Sequence, residues 1–202
     1  MTTTDCRDPG FRMETERLIL RRWREADLEP FAALNADPEV MTYLLKKLTI
    51  EESADLIDRM MERTTVNGFS FMPVEEKASG RFIGFVGLNR PVFATPQEFE
   101  PCIEIGWRLA RWAWGKGYAS EAARAWLGFG FETIGLDEIV AFTVLENARS
   151  FAVMQRLGMR EERLFDHPAV PESMPHLRTH RLCSLSRDTW LRQTGAGLAS
   201  AS

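Results

Sequence analysis

The 202-residue chain has no apolar run near the roughly 20 residues that a bilayer-spanning helix needs, so a helical membrane protein is not expected. Its first residues, Met1 to Cys6, lack the basic-then-apolar order of a secretory signal. Cysteine is scarce: Cys6, Cys102 and Cys183 have no metal-ligand spacing, and their odd number points to a reducing, cytoplasmic setting. Basic residues form no stripe, and the net charge of −4 argues against a nucleic-acid surface while mildly suiting an amine partner. No internal repeat or dividing linker is present. One domain over residues 11–190 is therefore expected, with 1–10 and 191–202 as flexible ends.

Two nucleotide signatures are also missing. No Gly-Lys-Ser/Thr ends a glycine loop, which removes the magnesium-holding hydroxyl of a Walker motif. Ser120 stands where a dinucleotide fingerprint would carry its third glycine. What is present is Trp112-Ala-Trp-Gly-Lys-Gly-Tyr-Ala-Ser120, in which Gly115 and Gly117 bracket Lys116 ahead of a run of strong helix formers. Glycines allow positive φ and close backbone approach, and a helix start adds unpaired N–H groups, so the stretch reads as an anion cradle. A plain strand-to-helix turn is the alternative.

The neighbouring elements frame that loop. Cys102 to Leu109 alternates as a strand, and its interior Gly106 predicts a bulge or a close backbone approach. The next helix, running to about Thr133, gathers Ala119, Ala122, Ala123, Trp126 and Gly130 on one small face suited to close packing on a sheet. Glu138 to Val144 is a β-branched, apolar strand, giving a right-handed strand-helix-strand unit with parallel strands. Asn147 caps a helix to Leu157, ended by Gly158. Ser150, Val153, Met154 and Leu157 share its inner face, where the serine hydroxyl either bonds back to a carbonyl or serves chemistry.

Elsewhere, Leu18-Ile-Leu20 predicts a strand and Asp27 to Ala36 a helix stopped at Asp37-Pro38. Thr49 and Glu52 form a capping box for a helix to Val66, broken at Asn67-Gly68. Phe69–Val74 and Arg81–Arg90 predict a hairpin, followed by a loop from Pro91 to Pro101. Arg160–Phe165 and Arg181–Ser186 close the chain as two strands. The loop between them carries His167 and His176, with His180 at its end, but no cysteine pair or His-x-x-x-His helix supports a metal site, and none is expected.

Strand, loop and helix together resemble the acyl-CoA-binding motif of the GCN5-related N-acetyltransferase (GNAT) superfamily, Gln/Arg-x-x-Gly-x-Gly/Ala. The resemblance spans about Thr15 to Trp190 and is strongest from Glu104 to Gly158. Trp114 departs from the Gln/Arg position, yet Trp-Gly-Lys-Gly-Tyr-Ala is similar to the RimJ/RimL-like branch of ribosomal-protein acetyltransferases. The fold implied is mixed α/β (α+β): a central, mostly antiparallel sheet with a parallel, splayed pair at the acyl-CoA site and helices on both faces. The activity implied is transfer of an acetyl group from acetyl-CoA to a primary amine, a protein N-terminus or a small molecule, with no metal and with homodimer formation left open.

The resemblance also implies roles. Ile105, Gly106, Trp107 and Leu109 on the strand, Trp114, Gly115, Lys116, Gly117, Tyr118, Ala119 and Ser120 on the loop and helix start, and Asn147 with Ser150 are expected to hold acetyl-CoA. Backbone N–H near Trp107 would take the thioester carbonyl. Many relatives place a tyrosine acid where this chain has Met154, so Ser150, matching the Asn-x-x-Ser of the RimJ/RimL-like branch, is the expected acid. Glu104 is the expected base, against a salt bridge to Arg108 and against His167 or His180. Trp23, Tyr43, Phe93 and Phe99 are candidates for the acceptor surface. A non-catalytic acyl-CoA-binding module and a plain nucleotide-binding domain are the rival readings.

Overall fold

A computed structural model of the chain describes residues 5–93 and 100–195. Phe99, most of the loop from Pro91 to Pro101, and the expected ends before Asp5 and after Gly195 lie outside the described residues. The strands are β1 (Arg12–Glu14), β2 (Leu18–Arg21), β3 (Phe71–Glu76), β4 (Arg81–Asn89), β5 (Glu104–Leu109), β6 (Glu138–Val144), β7 (Arg160–Asp166) and β8 (Thr179–Ser186). The α-helices are α1 (Leu28–Ala36), α2 (Ile50–Asn67), α3 (Tyr118–Gly128), α4 (Ala148–Arg156) and α5 (Arg187–Thr194).

The strands make one sheet in the order β1-β2-β3-β4-β5-β6-β8-β7. Every pair is antiparallel except β5 and β6, as expected. The final strand enters between β6 and β7, so seven aligned residue pairs fasten β6 to β8. On one face, α3, α4 and α5 bury Ala122, Ala123, Trp126, Met154, Leu157 and Trp190 with Leu20, Val86, Ile105 and Ile139. On the other, α1 and α2 bury Phe31, Leu34, Ile57 and Met60 with Trp23 and Phe85.

Local signals explain several elements. Thr49 accepts from the Glu52 amide at 3.2 Å while the Glu52 carboxylate accepts from the Thr49 amide at 2.9 Å, which satisfies two orphan donors of α2. Gly68, at φ 80°, ends that helix in the left-handed conformation that side chains resist. The small face of α3 does seat on the sheet, with Ala122, Ala123 and Trp126 fully buried.

Other expectations are corrected. No bulge falls at Gly106, because β4 and β5 stay in continuous register from Gly84↔Leu109 to Asn89↔Glu104. The irregularity lies between β3 and β4, where Ile83 is the extra residue between the pairs Val74↔Gly84 and Glu75↔Phe82. Gly106 answers instead to a close approach: a Cβ there would sit 2.9 Å from the Phe71 ring. Residues 5–10 are not a loose arm, since Cys6 is fully buried in the core and Arg22 donates to its carbonyl at 3.2 Å. The last helix runs past Trp190 to Thr194, because Ser186 caps it and the Trp190 indole donates to Glu132 at 2.7 Å.

Gly87 supplies a test of this packing. A Cβ on it would lie 2.2 Å from the Ser70 carbonyl oxygen and 2.7 Å from the Phe71 Cα, both backbone atoms, so β3 and β4 must move apart. Gly87→Ala should cost about 1–3 kcal/mol and lower the unfolding midpoint by roughly 3–10 °C in a thermal scan. Gly128→Ala, a helical position whose nearest neighbour would be 3.5 Å away, should leave it unchanged or raise it by a few degrees. Equal midpoints for both variants would contradict the close strand approach.

Candidate active site

β5 pairs with β6 only at Glu104↔Val140, and the Val140 amide donates to the Ile103 carbonyl at 2.9 Å. Beyond that point the two strands part. The Ala110 amide donates to Ile83 on β4 at 2.9 Å, and alternation along an antiparallel pair then turns the backbone groups of Ile105, Trp107 and Leu109 away from β4. The N–H groups of Trp107 and Leu109 thus face the gap with no strand opposite. The Leu109 carbonyl, facing the same way, accepts from the Trp114 indole at 2.8 Å.

The glycine loop starts just after this edge. Gly115 and Gly117 adopt φ 74° and 81°, and Gly117 is the N-cap of α3 without any side-chain cap. The first amides of α3 at Tyr118, Ala119 and Ser120 therefore point outward, as an anion site requires. Lys116 stands beside them with its side chain 46% exposed and its ammonium 4.0 Å from the Glu76 carboxylate. The Tyr118 side chain, in contrast, turns inward, its ring buried and its hydroxyl donating to Glu76 at 2.5 Å, so only its amide remains for a ligand.

Two residues around the loop carried no sequence signal. Arg17 donates to the Lys116 carbonyl at 2.9 Å and pairs with Glu121 at 2.6 Å, bracing the loop from β2's start. Arg149 places its guanidinium 4.5 Å from the Trp114 ring centre, adding a second exposed cation at the cradle. Tertiary contact alone brings them there.

Alternation along β5 separates two sets of side chains. Trp107 faces α4, where its indole donates to the Ser150 hydroxyl at 3.0 Å. Asn147 caps α4 by accepting from the Ser150 amide at 3.2 Å and is itself held by its amide donating to Thr143 at 3.0 Å. The hydroxyl does not bond back to a carbonyl one turn earlier. With an indole N–H occupying one lone pair, the Ser150 O–H proton is directed elsewhere. Met154, at the position expected to carry tyrosine in relatives, is buried in the core.

Glu104, Gly106 and Arg108 face α1 and α2 instead. The Asn89 amide donates to Glu104 at 2.7 Å, and Arg63 of α2 donates to the Asn89 carbonyl oxygen at 3.2 Å. Arg63 thereby fixes which end of the amide meets the carboxylate. Burial raises the Glu104 carboxyl to about 7, against the Asn89 hydrogen bond and the Arg63 charge, which lower it. No ion pair joins Glu104 to Arg108; Arg108 bonds to Asn35 at 2.7 Å.

The other sequence candidates are dispersed. His167 stacks among Phe93, Phe142 and His180, with ring centres 4.1, 5.9 and 4.8 Å away. Burial lowers its pKa to about 4 and lowers that of His180 too, so both rings are neutral and weakly basic at pH 7. His176 is exposed, and among the described residues no three potential ligands converge on a metal position. Trp23 is core, its indole donating to the Phe71 carbonyl at 3.0 Å. The Tyr43 hydroxyl donates to the Glu146 carbonyl at 3.1 Å, tying the α1–α2 segment to the turn before α4.

A mostly antiparallel sheet that parts at one parallel pair, with open edge amides leading to an uncapped helix start, is an arrangement suited to an acyltransferase whose donor is met by backbone groups. The family profile for an acetyltransferase (GNAT) domain matches residues 17–160, and the chain belongs to the GNAT acetyltransferases, which use acetyl-CoA. It is 32% identical over 151 residues to the uncharacterized N-acetyltransferase YnaD of Bacillus subtilis, covering 75% of this chain and 84% of that one. It is also 32% identical over 187 residues to an FsC-acetyl coenzyme A-N(2)-transacetylase of Aspergillus fumigatus, covering 89% and 78% respectively. A GNAT-family acetyltransferase of Bacillus anthracis superposes with a TM-score of 0.73 at 26% identity, over 88% of this chain and 99% of the other.

The raised Glu104 carboxyl gives a prediction independent of turnover. Its proton is held more tightly in the fold than in the unfolded chain, so ionisation weakens the fold as pH rises from the ordinary carboxylate range through about 7. Glu104→Gln removes that cost, and its unfolding midpoint relative to the parent should climb between pH 5 and pH 8. A pH-independent difference would place the Glu104 titration outside this window.

Proposed function

We propose that this chain transfers an acetyl group from acetyl-CoA directly to a primary amine, with both substrates bound together. The observation that carries the proposal is that Glu104 and the Trp107–Ser150 pair lie on opposite faces of β5, the strand whose Trp107 and Leu109 amides are left open. Glu104 takes the proton from the acceptor ammonium, a task suited to a carboxylate titrating near 7. The Trp107 N–H steadies the thioester oxygen as negative charge develops on it. The amine nitrogen forms the C–N bond, and as the C–S bond breaks Ser150, with its lone pair engaged by the Trp107 indole, passes a proton to the departing sulfur and regains one from the nitrogen of the tetrahedral adduct.

The residues present fit a pantetheine-pyrophosphate donor. Trp107 and Leu109 offer strand-edge amides, Gly115 to Ser120 offer the helix-start amides, and Lys116 and Arg149 supply positive charge at the same end. Asn147 fixes Ser150 by capping α4. The RimJ/RimL-like placement is supported by Asn147-x-x-Ser150 and by Trp-Gly-Lys-Gly-Tyr-Ala. The acceptor is then a protein N-terminus or a small amine, and a screen of both classes separates them. Buried Met154 favours a second reading, an acyl-CoA-binding module without turnover.

Acetyl-CoA at about one hundred times its dissociation constant should stabilise the protein by roughly 2.7 kcal/mol, a rise of several degrees in the unfolding midpoint that ATP and NAD do not match. Absence of that rise would remove the donor assignment. With an acceptor in hand, kcat/KM should increase with pH through about 7 and level off, because the base must be ionised. Glu104→Gln should erase that limb, and Ser150→Ala should lower kcat about 10²-fold with acetyl-CoA affinity kept. Full turnover in Ser150→Ala would strike Ser150 from the mechanism.

A further inference from the structure

Two of the sheet's arginines, Arg21 and Arg108, are treated differently. Arg21 is 5% exposed and meets two carboxylates, Asp27 at 2.7 Å and Glu75 at 2.9 Å. Such neutralisation is what a buried cation ordinarily requires. Arg108 has no carboxylate within ion-pair distance among the described residues. Its contacts are neutral: one nitrogen donates to the Asn35 carbonyl oxygen at 2.7 Å, and its guanidinium lies 5.2 Å from the Phe85 ring centre. Arg108 is half-buried, and its partial loss of water without a compensating anion depresses its pKa to about 10.

The support behind Arg108 is built. Asn35 is fully buried, its amide donates to the Ser53 hydroxyl at 3.1 Å, and Ser53 donates to the Thr49 carbonyl at 2.8 Å. The Leu48 amide donates to the Asn35 carbonyl at 3.1 Å, fastening the same asparagine to the segment between α1 and α2. Asn35 therefore presents its side-chain oxygen to Arg108 and holds one edge of the guanidinium. A guanidinium has five N–H donors, and this arrangement occupies one of its nitrogens. The unused nitrogens are not among the buried atoms left without a partner, so they reach solvent.

Position completes the argument. Arg108 and Glu104 lie on the same face of β5, four residues apart, which sets their Cα atoms roughly 13 Å from each other. Glu104 stands where β5 and β6 still pair, at the closed end of the gap, and Arg108 stands toward the end where the strands have parted. Between them the Phe71 ring covers Gly106, so a ligand with its amine at Glu104 would cross that ring to reach Arg108.

We propose that Arg108 binds a carboxylate of the acceptor, so that the substrate is a small amino carboxylate with its amine at Glu104 and its anion at Arg108. The amine end of this assignment rests on the acetyl-transfer reading above; the anion end rests on Arg108 alone. A planar guanidinium held along one edge matches a carboxylate through two parallel hydrogen bonds, which a neutral amide cannot return.

The test compares amino carboxylates of increasing chain length with their carboxamides, both as acceptors and as ligands of the CoA-loaded protein measured by calorimetry. The parent should favour carboxylate over carboxamide at least tenfold in binding and in kcat/KM, chiefly through KM. Arg108→Gln should abolish that preference while leaving carboxamide turnover and CoA affinity within about twofold, and Arg108→Lys should keep part of it. A parent without preference, a preference that survives Arg108→Gln, no binding of any amino carboxylate, or an equal loss for both members of each pair would overturn the proposal. In the last case Arg108 would only tie β5 to α1. Selective binding without acetyl transfer would sustain the Arg108 site and refute the transferase reading instead.

Discussion

The site depends on a ladder that stops. β5 is fully hydrogen-bonded to β4 on one side and β6 to β8 on the other, so neither strand needs the other beyond Glu104↔Val140. An unpaired buried amide is costly, and a sheet interior seldom leaves amides open. Here the cost is limited because the Trp114 indole covers the Leu109 carbonyl and the remaining edge opens to the gap. Donors left unsatisfied by the fold are available to a ligand without rearrangement, which is the physical content of preorganisation.

Side chains on the two faces of β5 are kept apart by the pleat, and each is fixed by a partner from a different layer. α4 holds Ser150 against Trp107, while α2 and β4 hold Glu104 through Arg63 and Asn89. The same amide logic recurs at Asn35, where Ser53 on one side sets what faces Arg108 on the other. Neutral amides orient charges here without neutralising them. A carboxylate in either asparagine's place would pair with the arginine and change the charge of the site.

Much of the fold was legible because its signals are local. The Thr49 and Glu52 capping box, the Asn147 cap, the glycines at 68, 117 and 158, and the small face of α3 follow from backbone chemistry within a few residues. Gly106 was read as a bulge or a close backbone approach, and what occupies the space a side chain would need is the Phe71 ring from β3. Cys6 and the last turn of α5, residues 191–194, were read as part of loose ends, since a short polar stretch with one buried group looks disordered until the core it joins is known. The His167 and His180 pair looked basic in the sequence and is made weakly basic by its aromatic enclosure.

The sequence by itself determined the order of elements, the glycine-shaped helix start at Gly117, and the register that puts Glu104 and Trp107 on opposite faces of one strand. These are set by dihedral preference and by the period of a strand, which are properties of neighbouring residues. Only the tertiary structure decided that β8 enters between β6 and β7, that Arg17 and Arg149 stand at the cradle, and that burial lifts Glu104 while Arg108 is left with neutral partners. Desolvation and long-range pairing depend on residues far apart in the chain, and those neighbours exist only once the sheet has closed around them.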